Sequence, residues 1–165
     1  MAKIDAISIL KHDHEHVEEL LERLKNTTER ATKTRVDLLE RIEAEIVAHM
    51  SVEEEIFYPA FRDAVGDKKA EKMYHEAREE HRAATKVMLD LKRTDPSSPA
   101  FGGRAKVLAE LVTHHADEEE DEMFPMANKH FSSEELEALG KQIEQRKRQL
   151  SNGKSRRKES RASAS

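Results

Sequence analysis

Apolar positions recur every three or four residues along most of the chain, the period of amphipathic helices rather than strands. The first run sets Ile7, Leu10, His14, Val17, Leu21 and Leu24 on one face and predicts a helix over about residues 5–25. A polar connection follows, with Thr34 or a neighbour placed to cap a second helix. That helix carries the stripe Leu39, Ile42, Ile46, His49, Glu53, Ile56 and Ala60, weakens near Pro59 and ends around Gly66. A third helix over about 67–92 carries Tyr74, Ala77, His81, Ala84, Met88 and Leu91. Residues 95–103 are rich in proline, serine and glycine and read as a loop before a fourth helix starting near Arg104. Ser132-Ser133-Glu134-Glu135 reads as a capping box opening a short helix over 133–150. The expected organisation is a helical bundle over 1–132, that short helix, and a disordered basic tail over 151–165.

The stripes are interrupted at matching places. His49 and Glu53 fall where the period demands leucines, and His14, His81 and His115 take inward positions in the other helices. A buried, unpaired carboxylate costs several kcal/mol even after relaxation, so the fold must neutralise it or give it a cation. The interruption also repeats. His49-x-x-x-Glu53-Glu54 with Tyr58-Pro59 superposes on His115-x-x-x-Glu119-Glu120 with Phe124-Pro125, and Asp13-His14 on Glu80-His81. The steps of 67 from His14 to His81 and 66 from His49 to His115 mark an internal duplication of a helical hairpin.

Four antiparallel helices would bring His14, His49, Glu53, His81, His115 and Glu119 together in mid-bundle. Each half supplies two imidazoles and one carboxylate, a set suited to two metal ions bridged by both carboxylates. Each residue alone has a plainer reading: an exposed i, i+4 pair is worth only a few tenths of a kcal/mol, and a seam histidine is commonly a hydrogen-bonded core residue. Six in register across a repeat point to a metal. Glu54, Glu55, Glu118, Glu120, Asp121 and Glu122 are assigned mostly to solvated faces, with Glu122 near the inner stripe. His12, His16, His75 and His130 read as surface residues, and His114 as a candidate support for a neighbouring ligand.

Composition narrows the chemistry. The chain has 165 residues and no cysteine, which leaves only nitrogen and oxygen ligands and excludes disulfides and thiol catalysis. The N-terminal residues contain no apolar run typical of a signal peptide or a membrane span, so a cytoplasmic, non-membrane protein is expected. The net charge of −5 conceals nine Lys or Arg against two Glu in residues 141–165, which makes the preceding residues strongly acidic. The tail reads first as a solvated segment, and nucleic acid is not an expected partner except through it. Spacing excludes other sites: Lys11, Ile46, Arg78 and Val112 stand where a ferritin-like Glu-x-x-His pattern needs glutamates, and no Walker loop, dinucleotide fingerprint or nucleophile elbow is present.

These motifs, over about residues 5–132, resemble the hemerythrin-like, or HHE cation-binding, domain. The resemblance implies an antiparallel up-and-down four-helix bundle with a non-haem centre of two iron ions, oxo- or hydroxo-bridged. By that likeness Glu53 and Glu119 bridge, and His14, His49, His81 and His115 are terminal ligands. Zinc or manganese would accept the same donors. Oxygen-carrying members have a further histidine one turn before the third-helix ligand, where this chain has Ala77. About two of roughly twelve coordination positions then stay open, and Tyr74, one turn earlier, is a candidate for one of them.

Three functions follow as expectations. The preferred one is a di-iron protein that binds, senses or reacts with oxygen, nitric oxide or peroxide; turnover, if it occurs, would be oxidoreductase chemistry on peroxide or oxygen. The second is a metal-binding or iron-handling module without turnover. The third is a basic-tailed adaptor for an acidic partner or nucleic acid.

Overall fold

The computed structural model describes the backbone of residues 4–162 and the side chains of residues 4–153. Among them the chain is helical, and most helix ends have an identifiable chemical cause. Helix α1, Ala6–Lys25, opens with a capping box: Ser8 N–H donates to Asp5 Oδ1 at 2.8 Å and Asp5 N–H to Ser8 Oγ at 3.1 Å. Helix α2, Thr32–Val52, begins before Thr34 and has Ala31 at its cap without a side-chain bond, so the expected threonine cap is not used. The connection is held instead by buried Arg35, which donates to Thr27 Oγ1 (2.9 Å), Thr27 O (3.1 Å) and Pro96 O (2.6 Å) and lies over the Phe101 ring.

Helix α2 passes through a five-residue π-helical turn, Glu53–Phe57, into α3, Tyr58–Val65. Gly66, at φ 67°, stops α3 in the left-handed conformation that glycine tolerates best. Asp67 then caps α4, Lys68–Lys92, by accepting from Ala70 N–H. Helix α5, Pro99–Glu118, starts earlier than its two glycines suggest. Ser98 and Pro99 provide the cap and a first residue that needs no N–H, and burial of Phe101 against Arg35 holds the turn. A second π-helical turn, Glu119–Met123, leads to α6, Phe124–His130.

Helix α7 spans Ser133–Ala162, opened by the expected capping box between Ser132 and Glu135. It does not close near Leu150, which corrects the reading of 151–162 as disordered. In that stretch Gly153 is the one strongly unfavourable residue, whereas Lys, Arg, Glu and Ala sustain helix well. Residues 163–165 of the expected tail lie outside the described residues.

Two apolar clusters fill the interior. One gathers Leu10, Val52, Phe57, Phe61, Ala77 and Phe124; the other gathers Val17, Ile42, Ile46, Ala84, Met88 and Leu108. Helices α1 and α4 run from the first cluster to the second, and α2 and α5 run back. Helix α1 packs on α2 and α5, and α4 on α5, while α7 lies along α1 and α2. Each of the four histidines sits where its helix passes between the clusters, so the apolar core is divided by a polar layer. No helix among the described residues is long and apolar enough to cross a membrane.

Candidate metal centre

The six residues singled out by the stripes meet in that layer. His14, His49, Glu53 and Glu119 form one group with ligand atoms within 4.8 Å of one another, and Glu53, His81 and His115 form a second. All six are buried, with Glu53 fully so. The imidazoles pair, His14 with His49 at 4.7 Å between ring centroids and His81 with His115 at 4.6 Å. Glu53 lies between the pairs. Its Oε1 is 2.9 Å from His49 Nε2 and 3.9 Å from His14 Nε2, and its Oε2 is 3.1 Å from His81 Nε2 and 3.9 Å from His115 Nε2. Glu119 Oε2 is 3.1 Å from His14 Nε2 and 3.7 Å from His115 Nε2.

The residue next to a member of this set orients an imidazole on a neighbouring helix. His49 Nδ1 donates to Asp13 (3.3 Å), His115 Nδ1 to Glu80 (2.7 Å), His81 Nδ1 to Glu54 (2.8 Å) and His14 Nδ1 to Glu120 (2.9 Å). The repeated dipeptides Asp13-His14, Glu80-His81, Glu53-Glu54 and Glu119-Glu120 therefore work as units. Glu54 and Glu120 are not simply solvated, a correction whose signal was their recurrence in the repeat. His12, His75, His114 and His130 are exposed and His16 is half-buried; Glu122 is exposed and pairs with Lys69.

Both π-helical turns have the same origin. Tyr58 N–H donates to Glu53 O and Phe124 N–H to Glu119 O, each spanning five residues, and proline follows at once. In a regular helix a proline ring collides with the carbonyl four residues back and leaves it without a donor; the wider turn relieves this. The extra residue moves the inward face from the expected Ile56 and Ala60 to Phe57, Tyr58 and Phe61. Tyr58 is thereby aimed into the layer. Its hydroxyl donates to Glu53 Oε2 at 3.2 Å and lies 3.2 Å from His81 Nε2 and 3.3 Å from His115 Nε2. At the matching place, Phe124 stacks on His14 at 5.9 Å with a 7° interplanar angle. At this position the two halves of the layer differ by one hydroxyl. Tyr74 is elsewhere: Arg78 donates to its hydroxyl and Arg62 lies over its ring, which corrects its candidacy for an open position.

The donor set fits a metal. An imidazole that donates from Nδ1 to a carboxylate presents a bare lone pair at Nε2. Among the described residues, His14 Nε2, His49 Nε2, Glu53 Oε1 and both Glu119 oxygens have no partner in hydrogen-bond geometry, although several lie about 3 Å apart. Buried acceptors facing acceptors repel unless a cation joins them. In the metal-free chain protons would play that part. Burial alone would lower the His14 pKa, but Glu119 and Glu53 overcome it and push the group up to about 11; the same opposition raises His115 to about 10. Burial favours neutral Glu53, yet His49 and its fellow imidazoles hold its carboxyl well below the usual range. Burial, reinforced by Glu119 and Glu53, keeps the Tyr58 phenol protonated. Beside the imidazoles lies a cavity of about 20 Å³, floored by Val17, Ile46, Ala84, Leu111 and Val112.

Residues 5–127 match the Hemerythrin HHE cation binding domain family. The chain belongs to that family. Among solved structures, a hemerythrin HHE cation-binding domain-containing protein from Mycobacterium kansasii superposes with a TM-score of 0.79 at 26% identity, covering 91% of this chain and 89% of that one. An uncharacterized protein of Mycobacterium tuberculosis is 27% identical over 148 residues, 89% of this chain and 88% of its own. A DNA nickase of Nostoc is 28% identical over 129 residues, 78% of this chain but 35% of the nickase. This HHE domain therefore corresponds to about a third of the length of that relative.

Proposed function

We propose that α1, α2, α4 and α5 form an up-and-down four-helix bundle whose polar layer holds two iron ions, and that the pair binds, senses or reacts with oxygen, nitric oxide or peroxide. His14 and His49 would serve one ion and His81 and His115 the other, with Glu53 and Glu119 shared. The observation that carries this reading is Glu53, whose two oxygens face separate histidine pairs. Bound iron would supply Lewis acidity and one-electron redox steps. The chain's own contribution is to fix and enclose the ligand. Asp13, Glu54, Glu80 and Glu120 hold the imidazole orientations, and the 20 Å³ apolar cavity favours a ligand of few atoms. Tyr58 places a neutral O–H donor beside His81, one turn from Ala77, where oxygen carriers have another histidine.

The nicking activity named for the Nostoc protein belongs to a chain of which this one matches 35%, and the six residues of the layer are all buried. We assign no such reaction here. The test is metal content and the visible spectrum of protein from iron-supplemented cells, before and after peroxide. Two irons per chain and a spectrum that responds to peroxide are expected; zinc alone with no response, persisting after anaerobic ferrous reconstitution, would sink the reading. Tyr58→Phe is expected to retain the metal, because Phe124 shows that the ring alone fits the equivalent place, and to alter the peroxide response. An identical response would remove Tyr58 from ligand handling.

A further inference from the structure

Each carboxylate that orients an imidazole has a second oxygen, and three of the four turn it toward a fixed cation. Asp13 Oδ1 meets Lys147 Nζ, Glu120 Oε2 lies 3.6 Å from Lys11 Nζ, and Glu54 Oε2 lies 3.8 Å from Arg78 Nε. Glu80 departs from this pattern. Its Oε1 faces His114 Nε2 at 3.7 Å, and His114 Nε2 is in turn 3.2 Å from Glu118 Oε1. Ligand atoms of Glu80, His114 and Glu118 all lie within 4.8 Å of one another. Among the described residues, neither carboxylate has a lysine or arginine partner.

The asymmetry has a structural cause. Helix α7 packs on α1, α2 and the first π-helical turn, and it delivers Lys147 to that half of the protein. In the covered half, the positions that match His114 and Glu118 in the repeat are Ala48 and Val52, and Val52 is fully buried. His114 and Glu118 occur only in the half that α7 leaves uncovered, where their side chains are 63% and 50% exposed.

We propose that Glu80, His114 and Glu118 bind a divalent cation at the surface, one hydrogen bond outside His115, and that this ion is the staging position for metal entering the buried layer. One imidazole nitrogen and two carboxylate oxygens suit ferrous iron, cobalt, manganese or zinc, with water completing the coordination. A divalent charge supplies at Glu80 what Lys147, Lys11 and Arg78 supply at the other three carboxylates. Glu80 then links the two positions, since its Oε2 holds His115 Nδ1 at 2.7 Å while its Oε1 faces the surface group. The staging role rests on the two-metal reading of the buried layer; the surface site does not.

The test uses the full chain with its buried layer loaded, titrated with cobalt(II) and followed by calorimetry and cobalt absorption. Wild type is expected to take up one further cobalt per chain. The His114→Ala/Glu118→Gln variant is expected to bind it about tenfold or more weakly, while His114→Asp, which keeps a ligand, retains it. Starting from metal-free protein, ferrous uptake in the double variant should slow by a similar factor and reach the same final content. Absence of a further cobalt in wild type, or equal affinity in the double variant, overturns the site; an unchanged loading rate overturns the staging role. A wild-type chain that acquires no buried metal under any loading condition would instead sink the two-metal reading, and the cobalt comparison on the exposed residues would still decide the surface site.

Discussion

Glu53→Ala is expected to cost the protein both metal ions, whereas His81→Ala costs one. Glu53 belongs to both groups of convergent ligand atoms, and it alone offers one oxygen to each histidine pair. Removing it leaves each position with imidazoles and at most one oxygen of Glu119, and losses of about 10- to 100-fold in affinity already follow from disturbing a ligand's support. His81 serves only the second group. Elemental analysis of purified variants, with far-ultraviolet circular dichroism to confirm folding, should read about two, one and near zero ions for wild type, His81→Ala and Glu53→Ala. One ion retained in folded Glu53→Ala would show that this carboxylate is not shared.

Metal-free and metal-loaded protein are expected to respond to alkali in opposite directions. In the metal-free chain, His14 and His115 rise from the ordinary value of 6.5 to about 11 and about 10, and His49 and His81 also rise. Folding therefore favours their protonated forms. That contribution is complete below pH 6.5 and is lost as pH climbs toward the folded values. Glu53 acts at the other end, since its lowered value gives stability that is present above 4.5 and lost in acid. Bound metal reverses the alkaline slope, because the ligands must be deprotonated and protons no longer compete. Thermal melts at several pH values between 6.5 and 9, with and without metal at fixed free concentration, should show a falling midpoint for the first form and a rising one for the second. Parallel slopes would mean that the layer is not closed by protons in one form and metal in the other.

Much of this arrangement was legible in the chain because burial enforces it. A histidine or carboxylate at a leucine position is expensive, and the repeat placed six such residues in register. The stripes of α1 and α4 are buried at every predicted position. What escaped prediction came from departures from the regular period. Proline at Pro59 and Pro125 reads as a weak point, but the chain answers it with a π-helical turn, so the face after Glu53 shifts by one residue and Tyr58, not Tyr74, reaches the layer. Asp13, Glu54, Glu80 and Glu120 escaped for another reason. Asp13 is buried and the three glutamates are half-buried, but the role of each depends on the helix opposite, which periodicity within one helix does not reveal. The early start of α5 turned on Ser98, Pro99 and buried Phe101 outweighing two glycines, a tertiary contact overriding local propensity.

The division of the core bears on how the molecule holds together as it opens. Each apolar cluster draws on α1, α2, α4 and α5 or their extensions, so neither forms from one hairpin alone. Contact between the clusters, however, passes through a slab of imidazole and carboxylate whose cohesion is electrostatic. An ion bound there acts as a rivet between two oily compartments and makes them melt as one cooperative unit. Without that ion the compartments meet through hydrogen bonds and ion pairs alone, so their coupling is expected to weaken and the two to part more readily on opening.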